Sequence, residues 1–469
     1  MRYVSTRGAA PALAFDDVLL AGLARDGGLY VPEEWPALTA DDLRSFARCD
    51  YAETTTRILS PFVDGAIAED DLAAIVADAY RGFAHAAVVP LKQLGANQWL
   101  MELFHGPTLA FKDLALQVVG RLFDHVLAKR GRRVTIVGAT SGDTGSAAME
   151  ACRDRAAIDV FILFPEGRVS EVQRRQMTTV DSPNVHAIAV RGTFDDCQDL
   201  VKAMFNDAPF RDRHGLSAVN SINWARIAAQ IAYYVWAAVA LGAPGRAVSF
   251  AVPTGNFGNV LAAHAARHMG LPIAGLAIGT NRNDILTRFL ETGSLSIGTV
   301  EPSLSPSMDI QVSSNFERLL FELYDRDGAA LAGAMADFRR DGRLALSTAQ
   351  WQRARAGFAG HRLDDAGTLA TIRRVWQATG EIIDPHSAIG VATAEACHPD
   401  RAVPMVALAC AHPAKFPDAV ERATGIRPPL PGRLADLMDR PERMTVLPND
   451  LAAVEAFVAD RSQTVGVPA

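Results

Sequence analysis

Six apolar, β-rich runs recur along this 469-residue chain, with helical stretches between several of them. They are "RVTIVGA" (133–139), "IDVFILF" (158–164), "VHAIAV" (185–190), "AVSFAV" (247–252), "IAGLAIG" (273–279) and "VPMVALA" (403–409). Most are continuously apolar rather than alternating, as strands covered on both faces must be. Such strands interleaved with helices predict an α/β protein with open, mostly parallel sheets and helices on both faces. Ligands of these sheets bind beyond the carboxyl ends of the strands. The residues that follow each run are therefore where the chemistry should lie.

Three regions follow from this pattern. Residues 1–85 read as helical and loop-linked. "DDVLLAGLARDGGLYVPEEW" predicts a short helix, a Gly-Gly turn and an extended piece stopped by Pro32, and 70–83 has helical apolar spacing. Residues 86–420 carry the strand runs as a core of two subdomains with a cleft between them. Residues 421–469 read as a Pro-rich, then helical, extension packing on that core.

The net charge of −7 argues against nucleic acid or an anionic membrane as partner. The longest apolar run, 228–241, contains Gln230 and falls short of the roughly 20 residues that span a bilayer. Five scattered cysteines form no C-x-x-C pair, which predicts a reducing, cytoplasmic setting without disulfides or a zinc knuckle. His264 and His268 have the i, i+4 spacing of a zinc helix but lack the glutamate of H-E-x-x-H, so no metal is expected there.

Two Gly-rich loops follow strand runs. After 133–139 comes "TSGDTGSAA", in which Ser141 and Thr144 add hydroxyls and a helix is expected to begin near Ser146. After 247–252 comes "PTGNFGN", where Gly255, Asn256, Phe257, Gly258 and Asn259 can turn several backbone N–H groups toward one anion. Neither loop is a Walker loop or a G-x-G-x-x-G fingerprint. Cys410 follows the last run, where a strand-end residue would face the same crevice.

The chain has only five lysines against 41 arginines. One of the five, Lys112, sits in the apolar segment "LFHGPTLAFKDLAL". Arginine serves wherever a fixed positive charge is enough, whereas a desolvated lysine gives up its proton and becomes a nucleophile. A buried lysine and two anion-cradling loops form one constellation.

Together "YVSTRG", "DGGLYVP", "HGPTLAFKD", "ATSGDTGSAA", "VNSINWARIAAQ", "PTGNFGN", "SPSMDIQVSSNFER", "DPHSAIG" and "AHPAKFPDAV" closely resemble threonine synthase, in its longer form with an extended N-terminal region. The resemblance covers nearly the whole chain. It implies the fold type II of pyridoxal phosphate enzymes, similar to the tryptophan synthase β subunit. It implies γ-elimination of phosphate from O-phospho-L-homoserine, then β-addition of water to give L-threonine. Lys112 would carry pyridoxal 5'-phosphate and act as acid and base. Phe111, Asp143 and Gly255, Asn256, Phe257, Gly258 and Asn259 would bind the cofactor, the last five at its phosphate. Thr140, Ser141, Gly142 and Thr144 would lie at the substrate, and Asn223 and Arg226 would grip its phosphate. Cys410 departs from the pattern, since the family usually has threonine or serine facing the pyridine nitrogen. The resemblance further implies a monomer or homodimer with small-molecule partners. A phospho-lyase or dehydratase on the same scaffold is the near alternative. A nicotinamide-dependent oxidoreductase and a non-catalytic binding protein are the distant ones.

Overall fold

The computed structural model describes residues 1–218, 221–398 and 400–463. Eleven strands build two main sheets: β1 (Leu91–Gly95), β2 (Gln98–Glu102), β3 (Val134–Ala139), β4 (Ile158–Pro165), β5 (Val185–Arg191), β6 (Leu216–Ser217), β7 (Val248–Pro253), β8 (Ile273–Thr280), β9 (Ala359–Arg362), β10 (Met405–Ala409) and β11 (Thr445–Pro448). One sheet has the order β9-β8-β7-β10-β2-β1 and is parallel except for the β1–β2 pair. The other, β11-β5-β4-β3-β6, is parallel throughout. Every residue of β4, β7 and β10 is buried, because helices cover both faces.

All six runs form strands, displaced by a residue or two. Five further strands gave no comparable signal. β2 is central in its sheet, but "QWLME" mixes polar ends with a three-residue apolar middle. β9 and β11 lie at sheet edges, where half-exposed residues leave no continuous apolar run.

Eight helices frame the cleft: α1 (Tyr51–Val63), α2 (Glu69–Tyr80), α3 (Lys112–Arg130), α4 (Asp143–Cys152), α5 (Glu171–Thr178), α6 (Trp224–Ala240), α7 (Gly258–His268) and α8 (Pro385–Ala396). The run 228–241 lies largely in α6, which is apolar all round and packs against α1, α3 and α7. Residues of α1 and α2 thereby join the main apolar core. A capping box between Asp50 and Glu53 starts α1. Helix α4 begins at Asp143, three residues before the expected start, because Thr140 Oγ1 accepts from the N–H groups of Gly142 (3.0 Å) and Gly145 (2.8 Å) and closes the turn early.

Helices α3 and α4 carry Lys112 and Asp143 at their first positions, so their packing sets the site. They touch at Gly120, where a Cβ would lie 2.5 Å from the Ala151 carbonyl oxygen. Alanine gains about 1 kcal/mol over glycine in a helix interior. Overpacking against a backbone atom costs about 1–3 kcal/mol. Gly120→Ala is therefore expected to lower unfolding stability by up to about 2 kcal/mol, read from urea denaturation; a raised midpoint would show that the two helices separate freely.

Candidate active site

Backbone pairing delivers Lys112 to the cleft. The chain before α3 runs beside the chain leaving β10: Leu103 N–H donates to Ala409 O (3.0 Å), Phe111 N–H to Cys410 O (2.8 Å) and His412 N–H to Leu109 O (3.0 Å). Leu109 takes a left-handed φ of 63°, and the chain then turns into α3. Lys112 is 7% exposed. Its Nζ lies 3.3 Å from Asp143 Oδ2, 3.5 Å from Ser307 Oγ and 4.9 Å from the centre of the Phe111 ring. Burial pulls its pKa below the ordinary lysine value; Asp143 opposes the shift, while Arg226 and Lys415 add to it.

Asp143 is the meeting point of four side chains. Oδ2 takes Lys112 and the Ser307 hydroxyl (3.1 Å). Oδ1 takes Gln173 Nε2 (2.9 Å) and Lys415 Nζ (3.0 Å). Burial works against this carboxylate, but Lys415, Lys112 and His386 outweigh it and hold its pKa well below the usual range. Sequence reasoning alone gives no role to Lys415, Gln173 or Ser307. The scarcity of lysine was a usable signal for Lys415, whereas nothing local marks Gln173 or Ser307.

The 255–259 loop forms the opposite wall. Gly255 has no room for a side chain, since a Cβ would lie 2.8 Å from Ser307 O. Phe257 adopts a left-handed φ of 61° at the start of α7, and its ring packs edge-on against Phe316. The segment "SPSMDIQVSSNFER" braces the loop: Ser313 Oγ donates to Gly255 O (2.7 Å) and Asn315 Nδ2 to Asn256 O (3.0 Å). Gly258 begins α7, and Asn259 is buried behind it. Asn259 Oδ1 accepts from both Tyr233 and Tyr234 hydroxyls, each at 2.6 Å, which leaves Nδ2 buried without a partner.

Arg226 and Tyr233 lie two turns apart on one face of α6. Arg226 is 4% exposed, its Nη1 has no partner, and no carboxylate pairs with it among the described residues. Burial pushes its pKa down to about 10, so it remains a cation at neutral pH. A buried cation without a counter-ion, beside a loop with an unpartnered amide N–H, calls for an anion.

The other residues singled out from sequence divide into two groups. Ser141 and Thr144 are half-buried at the mouth of α4, and their hydroxyls have no hydrogen-bond partner among the described residues. Gly142 has φ 130°, and a Cβ there would strike Gln173 at 2.4 Å. Thr140 is engaged by the turn described above. Asn223 is fully buried and caps α6: Oδ1 accepts from Ala225 N–H (3.1 Å) and Nδ2 donates to Leu19 O (2.8 Å). Cys410 N–H donates to Ser387 Oγ (3.1 Å), and burial raises its thiol pKa so that it stays neutral. Of the motif around Arg226, Val219 and Asn220 lie outside the described residues. His264 and His268 touch through their Nε2 atoms (3.0 Å) on α7, and His268 stacks on Trp35.

Comparison with known proteins agrees along the whole chain. "Threonine synthase N terminus" matches residues 2–80, "Pyridoxal-phosphate dependent enzyme" residues 84–337, and "Threonine synthase, C-terminal" residues 387–458. A threonine synthase from Pseudomonas aeruginosa is 57% identical over 98% of each chain. The crystal structure of a PLP-bound threonine synthase from Brucella melitensis is 55% identical with a TM-score of 0.97, over 99% of this chain and all of that one. The yeast threonine synthase structure is 37% identical with a TM-score of 0.93, over 98% of each chain. The chain belongs to the threonine synthase family of pyridoxal-phosphate-dependent enzymes.

Proposed function

We infer that this enzyme converts O-phospho-L-homoserine and water to L-threonine and phosphate, with Lys112 as the lysine that carries pyridoxal 5'-phosphate. The observation that supports this most is the buried amine of Lys112 at the first turn of α3, 3.5 Å from Ser307 Oγ, with the backbone of that same serine packed against Gly255 of the 255–259 loop. The residues present fit the cofactor. The loop offers backbone N–H groups at a helix start for a phosphate. Asn259 Nδ2 is a buried donor that lacks a partner. Cys410 presents a neutral thiol suited to a ring nitrogen that stays unprotonated.

When bound, the cofactor supplies an electron sink for negative charge developing on the substrate carbons. This chain does the rest. Lys112 Nζ, as the neutral amine, takes the proton from the substrate α-carbon and handles the later proton at the β-carbon. Asp143 stays ionised throughout and stabilises Lys112 once it is protonated. Arg226 holds the substrate phosphate through charge-assisted hydrogen bonds and steadies it as it departs. Ser141 and Thr144 donate to the substrate carboxylate. Asn223 contributes by fixing the start of α6, and so the height of Arg226 in the cleft.

Among the described residues no helix is long and apolar enough to cross a membrane. Five unpaired cysteines support a cytoplasmic location. We place the assembly as a monomer or homodimer.

The deciding assay follows phosphate and threonine together from O-phospho-L-homoserine. Equal yields are expected; phosphate accompanied by 2-oxobutanoate instead would make the enzyme a phospho-lyase. Lys112→Ala should lower turnover by roughly 10³-fold or more. Arg226→Gln should lower kcat/KM by about 10- to 100-fold, the loss of one charge-assisted hydrogen bond of about 1.5–3 kcal/mol. If Arg226→Gln leaves kcat/KM intact, the substrate phosphate sits elsewhere.

The two tyrosines give a further prediction. Tyr233→Phe or Tyr234→Phe alone leaves one hydroxyl fixing Asn259 Oδ1, and should weaken cofactor binding by about 1 kcal/mol or less. The double variant leaves that oxygen buried without a donor, and should cost about 2–4 kcal/mol, more than the sum of the single changes. Equilibrium dialysis of the cofactor reads the difference; strict additivity would mean the hydroxyls act separately.

A further inference from the structure

Two of the five lysines meet at one carboxylate. Lys415 is fully buried, 0% exposed, at the end of the chain leaving β10. Its Nζ donates to Thr108 O (2.7 Å) and pairs with Asp143 Oδ1 (3.0 Å), while Lys112 lies on Oδ2. A buried lysine in contact with a carboxylate normally keeps its proton, since removing it strands the carboxylate without a counter-ion. Lys112 must lose its proton to react.

We propose that Lys415 is a positioning residue that frees Lys112 to act as a neutral amine: it supplies a second counter-charge to Asp143, so that deprotonating Lys112 strands no buried carboxylate. The inference rests on reading Lys112 as the cofactor lysine. The charges around the pair are compatible with it. Arg226 and Lys415 disfavour a proton on Lys112 and Asp143 favours one. His386 lies near Asp143, and the neutral Cys410 thiol lies near Lys112. The remaining acid beside Lys415 is Asp113, whose carboxylate is taken up by the Thr108 N–H (2.8 Å) and hydroxyl (2.6 Å). Asp143 is thus the one carboxylate within ion-pairing distance of both lysines among the described residues.

The geometry also explains why both oxygens of Asp143 are occupied. Lys415 and Gln173 fix Oδ1, so Oδ2 keeps its aim at Lys112 whether or not that lysine is charged. Without Lys415, Lys112 would be the one lysine left paired with the carboxylate among the described residues, and the carboxylate would hold it protonated.

The test is the rate at which apoprotein takes up pyridoxal phosphate, followed by absorbance across a pH series. Uptake forms the bond from Lys112 Nζ to the cofactor aldehyde carbon and releases one water; the proton shed beforehand goes to solvent. Lys415→Met should raise the pH of half-maximal uptake rate by about one unit or more, the usual effect of one neighbouring charge. Lys415→Arg, which keeps the charge, should stay near the wild-type midpoint. An unchanged or lowered midpoint in K415M overturns the proposal. If K415M does not fold, Lys415→Gln, which can still donate to Thr108 O, takes its place with the same expected rise, and an unmoved midpoint there overturns the proposal. In D143N, where no carboxylate is left to neutralise, adding the Lys415 change should shift the midpoint less than in wild type; an equal shift overturns the route through Asp143. K112A serves as control: covalent uptake in K112A would overturn the reading of Lys112 itself, whereas no uptake there with an unmoved K415M midpoint overturns only the role given to Lys415.

Discussion

The carboxylate of Asp143 holds the two halves of the molecule in register. It stands at the end of β3, in the five-stranded sheet, together with Gln173 from α5. Lys112 and Lys415 reach it from the chain beside β10, in the six-stranded sheet, and Ser307 comes from the long connection after β8. Four separate segments thus converge on the two oxygen atoms of a fifth. Burying one carboxylate and two ammonium groups is costly unless each is paired and hydrogen-bonded. Here the partners are complete: both Asp143 oxygens are doubly contacted, and Lys415 has a backbone carbonyl as well. Residues more than three hundred positions apart must therefore arrive at one point for any of them to be satisfied.

A second buried network ties the N-terminal region to the 255–259 loop. Arg7 makes a two-pronged pair with Glu317 (3.0 and 2.9 Å), and Thr6 Oγ1 donates to the same carboxylate (2.7 Å). The next residue, Arg318, donates to Tyr30 O (2.9 Å) and to Asn315 Oδ1. Asn315 in turn holds Asn256 O. The region before residue 85 thus reaches the 255–259 loop through three consecutive contacts. This explains in physical terms why "YVSTRG", "DGGLYVP" and "SSNFER" occur together in one chain.

The sequence exposed the parts of this design that repeat a pattern. Strands buried on both faces are continuous apolar runs, and all six were legible. β2 and β11 were not, because their place in a sheet depends on partners far along the chain rather than on their own residues. Lys112 stood out because its neighbours are apolar in sequence. Lys415 did not, because "HPAKFP" looks like a loop, and its burial comes from Asp143 and Thr108, which are more than two hundred and seventy positions away. Ser307 and Gln173 belong to the same class: ordinary polar residues that acquire meaning only from the carboxylate they meet. Asn223 shows the converse. The resemblance implied a ligand contact for it, and the fold uses its side chain as the cap of α6, a role asparagine commonly takes just before a helix.

The strand order sets a timetable for biosynthesis. β10 lies between β7 and β2, so until residue 409 has emerged from the ribosome the six-stranded sheet exists only as two unconnected pieces. β11 closes the open edge of β5 only after residue 448 has emerged. Nearly the entire polypeptide must therefore be made before either sheet is complete. During that interval the edges of β7, β2 and β5 present unpaired backbone donors and acceptors to any other nascent strand. For a chain of this topology, that exposed period of synthesis is when protection from aggregation matters most.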